Sequence, residues 1–204
     1  MRIAIIDYDA GNQTSVQRAL AHLGQAAEIT ADPDRVVAAD RIIFPGVGAA
    51  GTCMGNLKGR GMDQALRAAV AAGRPVLSIC VGLQLLFEAS EEDGGTTCLG
   101  LVPGQVVRFR STDPAIKIPH MGWNQVAWTP DEPIAHGIPP QAEFYFVHSY
   151  HPTPGPGVAT ICTADHGGRF CAGIRAGNLV AVQFHPEKSG RFGLQLLGNF
   201  LTSG

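Results

Sequence analysis

The stretch Pro75-Val76-Leu77-Ser78-Ile79-Cys80-Val81-Gly82-Leu83-Gln84 decides the fold. Residues 75–79 read as a buried strand, and residues 81–89 have helical spacing. Nothing separates the two but Cys80. A cysteine at so abrupt a strand-to-helix junction occupies the turn known as a nucleophile elbow.

Working outward, the first half repeats the same unit. Residues 3–6 read as a strand that ends in a polar loop over 7–12. Residues 14–23 follow with Val16, Ala19, Leu20 and Leu23 on one helical face and Gly24 as the stop. Residues 27–29 and 41–44 are further strands, the latter ended by Pro45-Gly46. Residues 62–72 form an Ala-rich helix closed by Gly73. Strands alternating with helices predict a mainly parallel sheet with helices on both faces. The second half changes character: strands over 105–109, 144–147, 158–164, 170–175 and 179–184 are punctuated by Gly and Pro with little helix between them. They predict antiparallel additions. A last helix over 190–201 turns Phe192, Leu196, Leu197 and Phe200 inward. No repeat or linker interrupts the chain. The expectation is one α/β domain over residues 1–204, with an open, twisted, mainly parallel sheet, flanking helices and antiparallel additions in the second half.

Composition narrows the function classes. Apolar residues make up 45% of the 204 and charged residues 16%, which suits a globular chain with a real core. The formal net charge is −2 and no Lys/Arg block occurs, so neither nucleic acid nor a membrane surface is expected as a partner. The apolar run at the N-terminus is too short for a signal peptide, and no stretch approaches the roughly 18 apolar residues of a spanning helix. A soluble cytoplasmic protein is the expectation. The five cysteines are odd in number and form no CxxC pair, which argues against a disulfide framework or a structural zinc site.

Chemistry concentrates at three places. At Cys80 the helix dipole and a nearby imidazolium would favour thiolate, and the Val81 backbone N–H could donate to an oxyanion. The bland alternative is a buried structural thiol. Near the C-terminus, His185-Pro186-Glu187 follows an apolar strand. Pro186 biases His185 towards extended geometry, and residues two apart on an extended chain point the same way, so Glu187 can reach the His185 ring. A carboxylate on one ring nitrogen, with a thiol facing the other, is triad logic. The alternative is a structural His–Glu pair. Third, Pro45-Gly46-Val47-Gly48-Ala49-Ala50-Gly51 could supply a second oxyanion donor through the Val47 or Gly48 amide. It also matches GxGxxG, but it follows the third strand and has no acidic partner about 20 residues on, so a dinucleotide reading is set aside. All three lie at the C-terminal ends of expected strands, where open α/β sheets gather their ligands.

His148-Ser149-Tyr150-His151 invites a metal reading. Histidines three apart on one strand face opposite ways, and no carboxylate or cysteine stands at a useful spacing, so no metal is expected. The main-chain groups of Ser149 and Tyr150 could instead line a pocket for a small polar substrate. His120-Met121-Gly122-Trp123-Asn124 reads as loop after Pro119. It either closes the core or meets a partner, since Trp and Met are enriched in interface cores.

Taken together, these residues resemble the class I glutamine amidotransferases, and within that class the glutaminase subunits of imidazole glycerol phosphate synthase. The resemblance spans nearly the whole chain: Ile3-Ala4-Ile5-Ile6-Asp7-Tyr8 with Gly11-Asn12, Pro45-Gly46-Val47-Gly48, the Cys80 elbow with Gln84, Lys117-Ile118-Pro119-His120-Met121-Gly122-Trp123-Asn124, Tyr145-Phe146-Val147-His148-Ser149-Tyr150, and Gln183-Phe184-His185-Pro186-Glu187-Lys188-Ser189. The elbow and the His-Pro-Glu string are shared by the class; the strings around Trp123 and His148 point to these subunits. The resemblance implies the class I fold and hydrolysis of L-glutamine without a cofactor, by a Cys80, His185 and Glu187 triad. It implies an oxyanion hole from the Val47 and Val81 amides, and substrate contacts at Gly48, Gln84, Ser149 and Tyr150. The implied partner is a (β/α)8-barrel cyclase. It would form a heterodimer with this chain, receive ammonia through an internal channel, and dock on His120, Met121, Trp123 and Asn124. Ser78, Leu83, Gln13 and Thr14 depart from the family's usual residues. The alternatives are a glutaminase for anthranilate, guanylate or pyridoxal phosphate synthesis, and a nonenzymatic anion-binding module.

Overall fold

A computed structural model describes residues 1–202. In chain order the elements are β1 (Ile3–Ile6), α1 (Gln13–His22), β2 (Ala27–Thr30), α2 (Pro33–Ala38), β3 (Arg41–Gly46), α3 (Ala50–Gly59), α4 (Met62–Ala71), β4 (Val76–Cys80), α5 (Val81–Leu85), β5 (Ala89–Ser90), β6 (Thr96–Thr97), β7 (Gly104–Arg108), β8 (His120–Gln125), β9 (Ala127–Trp128), β10 (Glu143–His148), β11 (Tyr150–Pro154), β12 (Ala159–Asp165), β13 (Arg169–Ala176), β14 (Leu179–Val182) and α6 (Gly190–Thr202).

Eight strands form the main sheet in the order β2-β1-β3-β4-β14-β13-β12-β9. The first five are parallel, and the last three add antiparallel. β1, β4 and β14 are buried at every position, as strands with both faces covered must be. The open, mainly parallel sheet with antiparallel additions is therefore present as expected. Two smaller sheets flank it: β10 pairs β8, and β11-β7-β5-β6 form a four-stranded sheet.

The chain order 2-1-3-4 reverses direction at β1, and such reversals open a crevice at the carboxyl ends of the strands. Four strand ends meet there. Asn12 follows β1, Val47 follows β3, Cys80 ends β4, and Gln183 and His185 follow β14. Gly46 pairs with Cys80, and Ile79 with Val182, so the ladder sets the relative height of these ends.

The structure departs from the sequence reading at several elements. The helix after Cys80 ends at Leu85 instead of running to residue 89, because the chain turns and Ala89–Ser90 pairs with β7. β3 continues through Pro45 and Gly46. Ala50 and Gly51, read as the end of a glycine-rich loop, open helix α3, which runs to Gly59, and residues 33–38, given no element from the sequence, form α2. Residues 120–125 are a strand, paired with β10, instead of loop. Residues 148–151 are not one strand: β10 ends at His148 and β11 begins at Tyr150 in a different sheet. The parity argument against His148 and His151 meeting therefore does not apply, and both rings lie against Phe109, at 5.2 and 4.6 Å between centroids.

Candidate active site

Cys80 caps the N-terminus of α5 with φ 55° and ψ −111°. That region of backbone space is strained for any residue with a side chain, and such strain collects at functional turns. Close packing sustains it: a Cβ on Gly82 would collide with the Phe44 carbonyl oxygen, so α5 can rest on β3 this tightly only with glycine there. The thiol forms part of the wall of a cavity of about 290 Å³, together with Val47, Gly48, Val81, Gln84, Ser149, Tyr150 and His185. Eight residues named from the sequence thus border one space. Pro119, Val147, His148 and Glu92 complete its lining.

His185 is fully buried. Its Nδ1 and Glu187 Oε1 are 2.7 Å apart, and both side chains are out of solvent. Its Nε2 has no hydrogen-bond partner. Burial alone would disfavour a charged ring, but the nearby Cys80 and the Glu187 carboxylate outweigh it and raise the imidazole to about 10. The other four cysteines are buried, and burial pushes each of their thiols up: Cys53, Cys98 and Cys171 to about 11, and Cys162 well above its ordinary value.

Three side chains at the site were not assigned a role from the sequence. Asn12 Nδ2 donates at 2.6 Å to Glu187 Oε1, the same oxygen that meets His185 Nδ1, and lies 3.4 Å from that ring nitrogen. Gln183 Nε2 donates to Cys80 Sγ at 3.7 Å. Gln183 follows the last residue of β14, and Glu187 lies in a tight helical turn over Pro186–Lys188, so the chain leaves the extended conformation on which the expected parity of this string relied. Glu92 enters from the loop after β5. Its carboxylate accepts from the Ala50 amide at 2.8 Å, and burial raises it above the ordinary carboxylate range. No local pattern foretold it.

The match to known families agrees with this geometry. The family model described as glutamine amidotransferase class-I matches residues 4–203.

The chain belongs to the class I glutamine amidotransferase family.

Among curated relatives, the amidotransferase is 52% identical over 203 residues to the imidazole glycerol phosphate synthase subunit HisH of Nitratidesulfovibrio vulgaris, covering 97% of this chain and 94% of the relative. It is 47% identical over 207 residues to the protein of the same name from Methylococcus capsulatus, covering 98% and 95%. To that of Moorella thermoacetica it is 48% identical over 198 residues, covering 97% and 93%. The fold is also that of PurLQS from Thermotoga maritima, with a TM-score of 0.74 at 19% identity over 98% of this chain and 97% of that one.

Two expectations for this amidotransferase need correction. The Val47 N–H donates to the Ala10 carbonyl oxygen at 3.1 Å. It is therefore spent, and cannot serve as an oxyanion donor in this conformation. The Val81 N–H, at the first position of α5, has no carbonyl to pair with inside the helix and stays available. The second correction concerns the interface residues. His120 is buried, with only 5% of its surface exposed, because β8 alternates: Met121 and Trp123 project outward at 63% and 54%, while His120 projects inward. Asn124 is half-buried. Only Met121 and Trp123 of the four form an exposed apolar pair. Among the described residues no cluster of His, Cys, Asp or Glu is arranged to hold a metal, and no helix is long and apolar enough to cross a membrane.

Proposed function

We propose that this chain hydrolyses L-glutamine to glutamate and ammonia and delivers the ammonia to the cyclase subunit of imidazole glycerol phosphate synthase, for histidine biosynthesis. The observation that carries the reading is a thiol on a strained elbow, sharing one cavity with an imidazole whose far nitrogen is bound to a buried carboxylate. Cys80 Sγ attacks the side-chain amide carbon of glutamine, forming a carbon–sulfur bond. His185 Nε2 gives its proton to the departing nitrogen, which leaves as ammonia when the carbon–nitrogen bond breaks. The same nitrogen then takes a proton from water, whose oxygen displaces sulfur from the thioester and releases glutamate. Glu187 keeps Nδ1 protonated throughout, and Asn12 keeps Glu187 in place. Both N–H donors of Gln84 are spent, on the Tyr150 carbonyl at 2.9 Å and on Gln183 at 3.1 Å, so Gln84 offers a substrate its carbonyl oxygen. Glu92 is placed to receive the substrate's ammonium group.

The Val47 hydrogen bond to Ala10 fits a resting enzyme with half an oxyanion hole. The hole is completed when the segment from Val47 to Gly48 turns an N–H into the cavity. Gly48, at φ 108°, leaves that rotation open. Loss of one oxyanion donor costs on the order of 10²-fold in rate, so basal turnover is expected to be low until the cyclase binds. The cyclase is a (β/α)8 barrel that meets Met121 and Trp123 and receives ammonia through an enclosed channel, which prevents its loss to solvent.

Ammonia release from glutamine, measured with and without the cyclase, tests this reading. Native chain with cyclase should exceed native chain alone by on the order of 10²-fold. Cys80→Ala should abolish release in both, because no other group supplies the attacking atom. Full turnover without a partner would overturn the switch, and turnover by Cys80→Ala would overturn the mechanism.

A further inference from the structure

One set of buried and half-buried polar groups outside the triad forms a continuous line. Asn124 Nδ2 lies 3.1 Å from His120 Nε2, and His120 Nδ1 lies 3.1 Å from His148 Nε2. His148 Nδ1 lies 2.8 Å from the Tyr150 carbonyl oxygen, which also receives Gln84 Nε2 at 2.9 Å. Gln84 Nε2 then reaches Gln183 Oε1 at 3.1 Å, and Gln183 Nε2 reaches Cys80 Sγ at 3.7 Å.

The direction of every proton follows from the two ends. Asn124 Nδ2 also donates to the Asp165 carbonyl at 2.8 Å, so the amide cannot be turned over without setting oxygen against oxygen. His120 Nε2 must therefore accept, which leaves the hydrogen of the neutral ring on Nδ1. His148 Nε2 must then accept in turn, and its own hydrogen sits on Nδ1. There it meets a carbonyl, which can only accept. The chain reads donor to acceptor without conflict, and a proton added to either ring would set N–H against N–H. The surroundings agree. Burial holds His148 down at about 3 and His120 at about 4; His166, stacked on His120 at 4.2 Å, lowers both further, and His151 lowers His148.

The geometry points to this hydrogen-bonded chain as the device that fixes Gln84 and Gln183 against the nucleophile, with Asn124, His120 and His148 as positioning residues that tie the site to strand β8. Gln183 touches the reacting sulfur. Asn124 stands beside Trp123 on the strand whose outer face is exposed. A body resting on Trp123 would bear on Asn124, and the chain would carry that displacement to the Tyr150 carbonyl and the two glutamine amides. The positioning role needs only a reactive Cys80. The link to a partner rests on the function proposed above.

The test is a double-mutant cycle read on Cys80 alone. Alkylation of Cys80 by iodoacetamide is followed by peptide mass across a pH series, for native chain, Asn124→Ala, Gln183→Met and the double variant. Each single variant should slow alkylation several-fold. The double variant should depart from the product of the two by at least about threefold, although the residues do not touch, since members of one network couple and distant independent sites do not. A native rate for Asn124→Ala, or effects that simply multiply, would overturn the chain. If the double variant does not fold, His148→Phe replaces Asn124→Ala. It keeps the ring volume against Phe109 and Phe170 and removes the donor to Tyr150. Because iodoacetamide needs neither glutamine nor cyclase, coupling without glutamine turnover would sink the functional reading alone. Turnover without coupling would sink the chain alone.

Discussion

Ser78 lies on β4 two residues before the nucleophile, and its hydroxyl is fully buried with no hydrogen-bond partner. A stranded buried hydroxyl costs on the order of 1 kcal/mol or more. Ser78→Ala, which keeps the Cβ packing, should therefore raise unfolding free energy by about 1 kcal/mol in urea titration, with Cys80 still reactive. A loss of stability would mean that the hydroxyl is satisfied in solution. At this scale the triad was the most legible part of the sequence. Cys80 stood at an apolar-to-helical junction, and the His-Pro-Glu spacing named the right pair, although a tight helical turn over Pro186–Lys188 and not extended parity brings Glu187 to the ring. Asn12 and Glu92 were not assigned in the same way, because they reach the site from loops whose course depends on the finished fold.

At the scale of elements, legibility followed range. β1 and β14 announce themselves through unbroken apolar runs, β3 through Ile42–Phe44, and β4 through a run broken only by Ser78. β8 does not. Gly122 and a mixed polar–apolar string hide its period, and only pairing with β10, from Gln125 opposite Glu143 to His120 opposite His148, makes it a strand. Once it is a strand, its parity divides the expected interface into an outer pair and an inner polar row. Trp123 is the proposed outer anchor; its ring stands edge-on to Tyr145, at 6.1 Å. Trp123→Ala should leave the urea midpoint near native and weaken association with the cyclase by about 30-fold or more, as truncating a central aromatic anchor does. Calorimetric titration reads this directly, and unchanged affinity would move the docking face elsewhere. The tail of the helix expected after Cys80 failed for a related reason. Apolar spacing over residues 86–89 serves burial in a turn and a short strand as well as in a helix.

For the whole molecule, four histidines shape the response to pH. Burial holds His120, His148 and His151 below the usual value of about 6.5, so the unfolded chain takes up protons there that the folded chain refuses. Their contribution is complete above pH 6.5 and is lost as pH falls towards 4 and then 3. His185 is raised, so its contribution is complete below 6.5 and is lost as pH rises through about 10. Stability to urea should therefore peak near pH 6.5 to 7, and His148→Phe should flatten the acid limb alone. An acid limb unchanged by that variant would place the titrating groups elsewhere.

β4 and β14 are hydrogen-bonded neighbours in the middle of the eight-stranded sheet, with β3 on one side and β13 on the other. Sulfur and imidazole thus ride on strands that can separate only when the molecule unravels. In heavy water, the backbone amides of residues 77–79 and 180–182 should exchange only at the pace of global opening, and those of residues 47–51 far sooner. Whatever turns this enzyme on and off has a rigid anvil to work against.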